Sequence, residues 1–227
     1  MSVHVEGNAE GRSSAPARGP CQLYLISPQE VGGSFADRLA RAIDSASPEM
    51  PVAAFQFRVK GVDQHECARL AAPLQAVCNA REVAFIVNDS VALAKRLKAD
   101  GVHLGQQDGD VREAREVLGR EAQIGVTCHA SRHLAMEAGE AGADYVAFGS
   151  FFPSTTKASE HRPTVELLQW WQSLMEIPCV AIGGINPANC GPLVEAGADF
   201  LAVCNAVWEG DEAAAVRAFA QAAGQGG

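Results

Sequence analysis

The chain has 227 residues, enough for one core-bearing domain that folds without disulfides or a structural metal. With 48% hydrophobic and 20% charged residues it is excluded from the wholly disordered class. Eighteen Lys plus Arg against 27 Asp plus Glu give a net charge of −9, which repels nucleic acid and anionic membranes, so any anionic ligand must meet a local cluster of positive groups.

Residues 1–20 are rich in Ser, Gly, Ala and Pro and lack the apolar run of a secretory signal; they predict a flexible, disordered N-terminal tail ahead of a single domain over 21–227. From Cys21 onward short apolar runs alternate with helical patterns. The strands predicted are Gln22–Ile26, Val52–Arg58, Ala84–Val87, Val102–Leu104, Ile124–Thr127, Tyr145–Phe148, Cys179–Ile182 and Phe200–Val203, several of them apolar throughout, as strands buried on both faces should be.

Helix starts lie between them. Ser34 to Asp37 reads as a capping box before the stripe Phe35, Leu39, Ala42 and Ile43. Asp63 with Glu66 opens the second helix, with the stripe Cys67, Leu70, Leu74 and Val77. Ser90, Asp110, Ser131 and Thr164 are N-cap types, Asn186-Pro187 places a cap before proline, and Asp211 opens the last helix with Val216 and Phe219 inward. Eight strands and eight helices in strict alternation require a parallel sheet and favour a closed (β/α)8 TIM barrel. The longest uncharged run, Ile177 to Val194, is broken by Gly183-Gly184, Pro187 and Pro192 and is no membrane span. Seven scattered cysteines without a Cys-x-x-Cys pair favour a reducing cytoplasm.

Active sites of such barrels lie at the C-terminal strand ends, so the residues that follow each strand carry the functional signal. After strand 2, alternation puts Gln56, Arg58 and Lys60 on one face, which suits a phosphate-type anion. Asn88-Asp89 follows strand 3 and Asp108 follows strand 4; carboxylates on neighbouring loops suit Mg²⁺, although each Asp alone also reads as a helix cap. Thr127-Cys128-His129 follows strand 5 and offers a hydroxyl and an imidazole; Cys128, His129 and His133 have the residue types of a metal site but no fourth ligand at suitable spacing. Ser154, Thr155, Thr156 and Lys157 lie in a polar loop that reads as an anion clamp or a solvated loop. Gly183-Gly184 follows strand 7, where barrels often hold phosphate on backbone N–H groups, and Cys204-Asn205 after strand 8 opens a short helix beside it. Two anion sites emerge, one at strands 2 to 4 and one at strands 7 and 8.

These motifs resemble thiamine phosphate synthase, in order from about Cys21 to Ala223: Gln56-x-Arg58-x-Lys60, Asn88-Asp89, Gly101 to Asp108, Gly125 to His129, Pro153 to Lys157, and Ile182 to Ile185. The resemblance implies a transferase that joins a hydroxymethylpyrimidine diphosphate to a thiazole phosphate, with release of pyrophosphate. It assigns Gln56, Arg58, Lys60, Asn88, Thr127 and Lys157 to the pyrimidine diphosphate, with Arg58, Lys60 and Lys157 aiding catalysis. Asp89 and Asp108 take Mg²⁺, and Ser154, Thr156, Gly184, Cys204 and Asn205 take the thiazole phosphate. Asn205 stands where the family usually has Ser, Ser154 replaces a Thr, and Ala158 to Arg162 depart from the pattern. Partners are two phosphorylated small molecules, with no nucleic acid or membrane, and the chain is expected as a monomer or small homo-oligomer. The alternatives are a thiazole tautomerase working through His129, a Schiff-base aldolase using Lys157 or Lys60, and a non-catalytic phosphate-binding barrel.

Overall fold

The computed structural model of the chain describes residues 19–153 and 162–224. Most of the expected tail, with Ser154, Thr155, Thr156 and Lys157, lies outside the described residues. Eight parallel strands close into a barrel in chain order. They are β1 (Gln22–Ile26), β2 (Val52–Phe57), β3 (Ala84–Asn88), β4 (Gly101–Leu104), β5 (Gln123–His129), β6 (Tyr145–Gly149), β7 (Cys179–Ile182) and β8 (Phe200–Val203). The helices between them are α1 (Phe35–Asp44), α2 (Gln64–Asn79), α3 (Val91–Leu97), α4 (Val111–Leu118), α5 (Arg132–Glu140), α6 (Val165–Leu174), α7 (Gly191–Glu195), α8 (Asn205–Trp208) and α9 (Glu212–Ala223). The short α8 makes nine helices among the described residues rather than eight. The ring closes where β1 pairs with β8, with Leu25 opposite Val203, and the Trp208 indole N–H donates to the Ile26 carbonyl at 2.7 Å.

Alternation along the strands divides the core. Leu23, Leu25, Phe55, Phe85, Val146 and Phe148 point outward and pack with the helices. Tyr24, Ile26, Ala54, Ile86, Tyr145, Ala147, Val180 and Ala202 fill the barrel interior. Gly125 belongs to that interior: a Cβ there would sit 1.9 Å from the Tyr145 ring, so the missing side chain makes the room that Tyr145 occupies.

Several start signals act as expected. Asp63, Ser90, Asp110, Ser131 and Asp211 accept backbone N–H groups of the first turns that follow them. Others do not. Ser34 and Thr164 occupy N-cap positions without a side-chain cap bond, so the expected capping box does not form. Asn186-Pro187 opens a turn, in which the Asn186 side chain accepts from the Ala188 N–H, and α7 starts later at Gly191 with Pro192 in its first turn. On α2 the buried stripe is Cys67, Ala71, Leu74 and Cys78, while Leu70 and Val77 are half-buried.

Candidate active site

The C-terminal ends of β2, β3 and β4 bring Lys60, Asp89 and Asp108 of the first predicted group together, and set Arg58 apart from them. Strand β2 stops at Phe57, so the alternation expected to continue through Arg58 and Lys60 does not. Both lie on the following loop, which the loop after β1 fastens: the Ser27 hydroxyl accepts from the Arg58 N–H at 2.8 Å, and the Gln29 side chain accepts from the Lys60 N–H at 3.1 Å. Gln56 alone points inward, buried, with its amide N–H donating to the Tyr24 hydroxyl at 3.1 Å.

From that loop Lys60 reaches Asp89, with Nζ 2.9 Å from Oδ2. The two side chains are 55% and 32% exposed, so the pair stays open to a ligand. Asp89 has a φ of +65°, a region that Asp tolerates better than most residues, and its N–H donates to the His103 carbonyl at 2.8 Å. Asp108 accepts from the Gly105 N–H at 2.9 Å. Burial, and then the charge of neighbouring Asp89, push the Asp108 carboxyl above the usual carboxylate range, with Lys60 and the Gly105 N–H opposing. The two carboxylates are therefore electrostatic neighbours. Carboxylate oxygens are the ligand type that hard divalent cations take. Among the described residues no group of three or more His, Cys, Asp and Glu gathers as a metal centre, so Cys128, His129 and His133 do not form one.

Arg58 lies toward the other side of the mouth. Its charge is felt by Cys204, whose thiol is pushed up to about 11 by burial with Arg58 opposing. Cys204 and Asn205 stand at the start of α8, and the Cys204 thiol donates to the Ser27 carbonyl at 3.6 Å. Asn88 is half-buried at the end of β3, in register with His103.

Gly183 and Gly184 carry φ of +105° and +63°. A Cβ on Gly183 would lie 2.0 Å from the Ser150 hydroxyl, and one on Gly184 would lie 2.4 Å from the Pro153 carbonyl. The glycines are thus required by the loop after β6, which packs against them.

Thr127 faces inward at the end of β5, where its hydroxyl lies 2.8 Å from His103 Nε2. His103 Nδ1 is 3.1 Å from the Tyr145 hydroxyl, and Tyr145 is 2.9 Å from the Tyr24 hydroxyl. Burial lowers the His103 pKa to about 4, with Asp89 opposing, so the ring is neutral at pH 7. His103, Tyr24 and Tyr145 were not among the residues expected at the site. The signal for them was a polar group at the inward phase of an otherwise apolar strand.

The sequence model described as thiamine monophosphate synthase matches residues 23–207. A thiamine-phosphate synthase of Erythrobacter litoralis (strain HTCC2594) is 72% identical over 204 residues, covering 89% of this chain and 95% of the relative. One of Rhodospirillum centenum (strain ATCC 51521 / SW) is 52% identical, covering 83% and 89%. The solved structure of a thiamine phosphate pyrophosphorylase from Pyrococcus furiosus has a TM-score of 0.77 at 29% identity, covering 90% of this chain and 96% of that one. The chain belongs to the thiamine monophosphate synthase family and carries its transferase activity, thiamine-phosphate synthesis.

Proposed function

We propose that the mouth of the barrel holds hydroxymethylpyrimidine diphosphate over β2 to β5 and thiazole phosphate over β7 and β8, and that the reaction is dissociative. The observation that supports this most is the gathering of Lys60, Asp89 and Asp108 at one rim of a chain whose net charge is −9. The C–O bond to the diphosphate breaks with its electron pair leaving on pyrophosphate. The electron-rich pyrimidine carries the methylene cation, and the thiazole nitrogen lone pair forms the new C–N bond. The protein's share is alignment and charge neutralisation.

Arg58 and Lys60 bind the diphosphate oxygens as negative charge grows on them. Asn88, Thr127 and Gln56 hold the pyrimidine half, and Lys157, outside the described residues, adds a further cation. Asp89 and Asp108 hold Mg²⁺, which when bound supplies further neutralisation of the leaving group. Gly184, Cys204 and Asn205 receive the thiazole phosphate together with Ser154 and Thr156, which also lie outside the described residues. An aldolase role for Lys60 is disfavoured, because a Schiff-base lysine needs desolvation and Lys60 is half-exposed and ion-paired.

We read the chain as a monomer or small homo-oligomer of the cytoplasm, acting on small phosphorylated substrates. No helix among the described residues is long and apolar enough to cross a membrane. The test is to mix the protein with both phosphorylated halves, with Mg²⁺ and with a chelator, and to measure thiamine phosphate. Formation at an undiminished rate by the doubly substituted Asp89→Ala, Asp108→Ala protein would remove the metal assignment.

A further inference from the structure

A hydrogen-bonded chain crosses the barrel interior from β2 to β5. The Gln56 amide nitrogen is 3.1 Å from the Tyr24 hydroxyl, Tyr24 is 2.9 Å from the Tyr145 hydroxyl, Tyr145 is 3.1 Å from His103 Nδ1, and His103 Nε2 is 2.8 Å from the Thr127 hydroxyl. Tyr24, Gln56, His103 and Tyr145 are all buried. Gly125 leaves the space in which the Tyr145 ring lies.

The direction of the protons along this chain follows from counting donors. The Gln56 amide nitrogen can only donate, so the Tyr24 oxygen accepts. The Tyr24 proton then has Tyr145 as its acceptor, and the Tyr145 proton in turn has His103 Nδ1. With Nδ1 accepting the Tyr145 proton, the ring carries its own proton on Nε2 and donates it to the Thr127 oxygen. The reverse order would leave the buried Tyr24 proton without an acceptor, which a buried hydroxyl rarely tolerates.

We infer that His103 is a positioning residue: the Gln56–Tyr24–Tyr145 chain fixes its Nε2–H tautomer, which forces the Thr127 oxygen to accept from the ring and turns the Thr127 proton outward, toward the diphosphate substrate. The interior of the barrel thereby converts an ambivalent hydroxyl into a committed donor. Such a donor is strongest where charge develops on the leaving oxygens. The inference rests on reading Thr127 as a substrate ligand, and its tests are chosen to fail separately from that reading.

The first test is ¹⁵N NMR of the His103 ring in the full chain, with no substrate present. A protonated Nε2 and a bare Nδ1 are expected. The opposite tautomer, with Gln56 accepting from Tyr24 and Thr127 donating to the ring, overturns the inference whatever Thr127 binds. The second test is a double-mutant cycle on kcat. Thr127→Val and Tyr145→Phe should each lower kcat about tenfold or more, and the double variant should be no slower than the worse single one. Thr127→Ser should restore most of the rate, and Tyr24→Phe should repeat the effect of Tyr145→Phe if the latter folds poorly. Independent, multiplying losses in the cycle mean that Tyr145 acts otherwise and overturn the inference. An unchanged kcat in Thr127→Val removes the ligand reading itself, even if the tautomer is as expected.

Discussion

At the N-terminal ends of the strands, Asp100, Asp144 and Asp199 each accept the backbone N–H of a residue on the preceding strand: Phe85 at 2.7 Å, Ile124 at 2.6 Å and Cys179 at 2.8 Å. Each of the three stands two residues after a left-handed position, Lys98, Gly142 or Gly197. Asp144 is also bridged to Arg115 at 2.6 Å. At the C-terminal ends, Asp89 and Asp108 repel each other, and Asp89 adopts a left-handed backbone itself. The same side chain thus holds a backbone N–H of the neighbouring strand at one rim, while at the other its bonds to Lys60 and the Gly105 N–H are set against the charge of a second carboxylate. Carboxylates bonded to the backbone staple neighbouring strands, whereas crowded ones with shifted pKa values are the pattern of functional sites, as in the proposal above.

The largest expected effect separates the rims by activity. Asp89→Ala, Asp108→Ala or Lys60→Ala should each lower kcat/KM on the order of 10²–10³-fold, the cost of losing one transition-state electrostatic contact. Urea unfolding of Asp108→Ala should show stability within about 1 kcal/mol of the parent, because relief from the neighbouring Asp89 charge is set against loss of the acceptor for the Gly105 N–H. A large loss of stability with normal turnover per folded molecule would break the contrast.

Next in size is an effect at the middle of the barrel. His103 has a folded pKa of about 4, below its ordinary 6.5. Above pH 6.5 the ring is neutral in both folded and unfolded chains. As the pH falls from 6.5 toward 4, the unfolded chain takes up a proton that the folded chain refuses, and stability is lost by up to about 3 kcal/mol. Urea titrations at pH 7 and pH 4.5 should show this slope, and His103→Gln should flatten it. An equal slope in the variant would assign the acid sensitivity to other groups.

At the opposite rim Asp199→Ala should cost about 1–3 kcal/mol, because the buried Cys179 N–H loses its carboxylate acceptor. Turnover per folded molecule should stay within about twofold of the parent, on the same assay that registers the Lys60 and Asp89 variants. A hundredfold slower but well-folded Asp199→Ala would mean that both rims serve the chemistry.

The barrel was legible in the sequence because its strands are short apolar runs buried on both faces, and because Asp63, Asp110 and Asp211 announce helix starts by local chemistry. Ser34 and Thr164 were misleading for a related reason: residue type specifies a competence to cap, whereas the bond depends on backbone angles set by the incoming loop. The nearness of Lys60, Asp89 and Asp108 to one another was legible since each follows a strand and parallel strands share one C-terminal face. The interior chain was not. Tyr24, His103 and Tyr145 each set a polar group in an apolar strand, but only ring closure brings positions separated by up to 121 residues into hydrogen-bond contact.

The finest division falls between two adjacent residues at the functional rim. Asp89 faces Lys60 and Asp108, whereas the hydroxyl of Ser90 accepts from the Leu93 N–H at 3.2 Å and caps α3. Ser90→Ala leaves that first-turn donor to water at a cost of about 0.5–2 kcal/mol. Since the cap touches neither carboxylate of the pair, kcat should change less than about threefold, and the loss should appear in thermal or urea unfolding. Ser90→Asp, which restores an acceptor, should recover stability but places a new negative charge beside Asp89. Activity should therefore fall while stability returns, so the two readouts move in opposite directions within one position of each other. Parallel movement of both would show that the position of Asp89 depends on the cap, and that the division between binding and folding is drawn between rims and not between neighbouring residues.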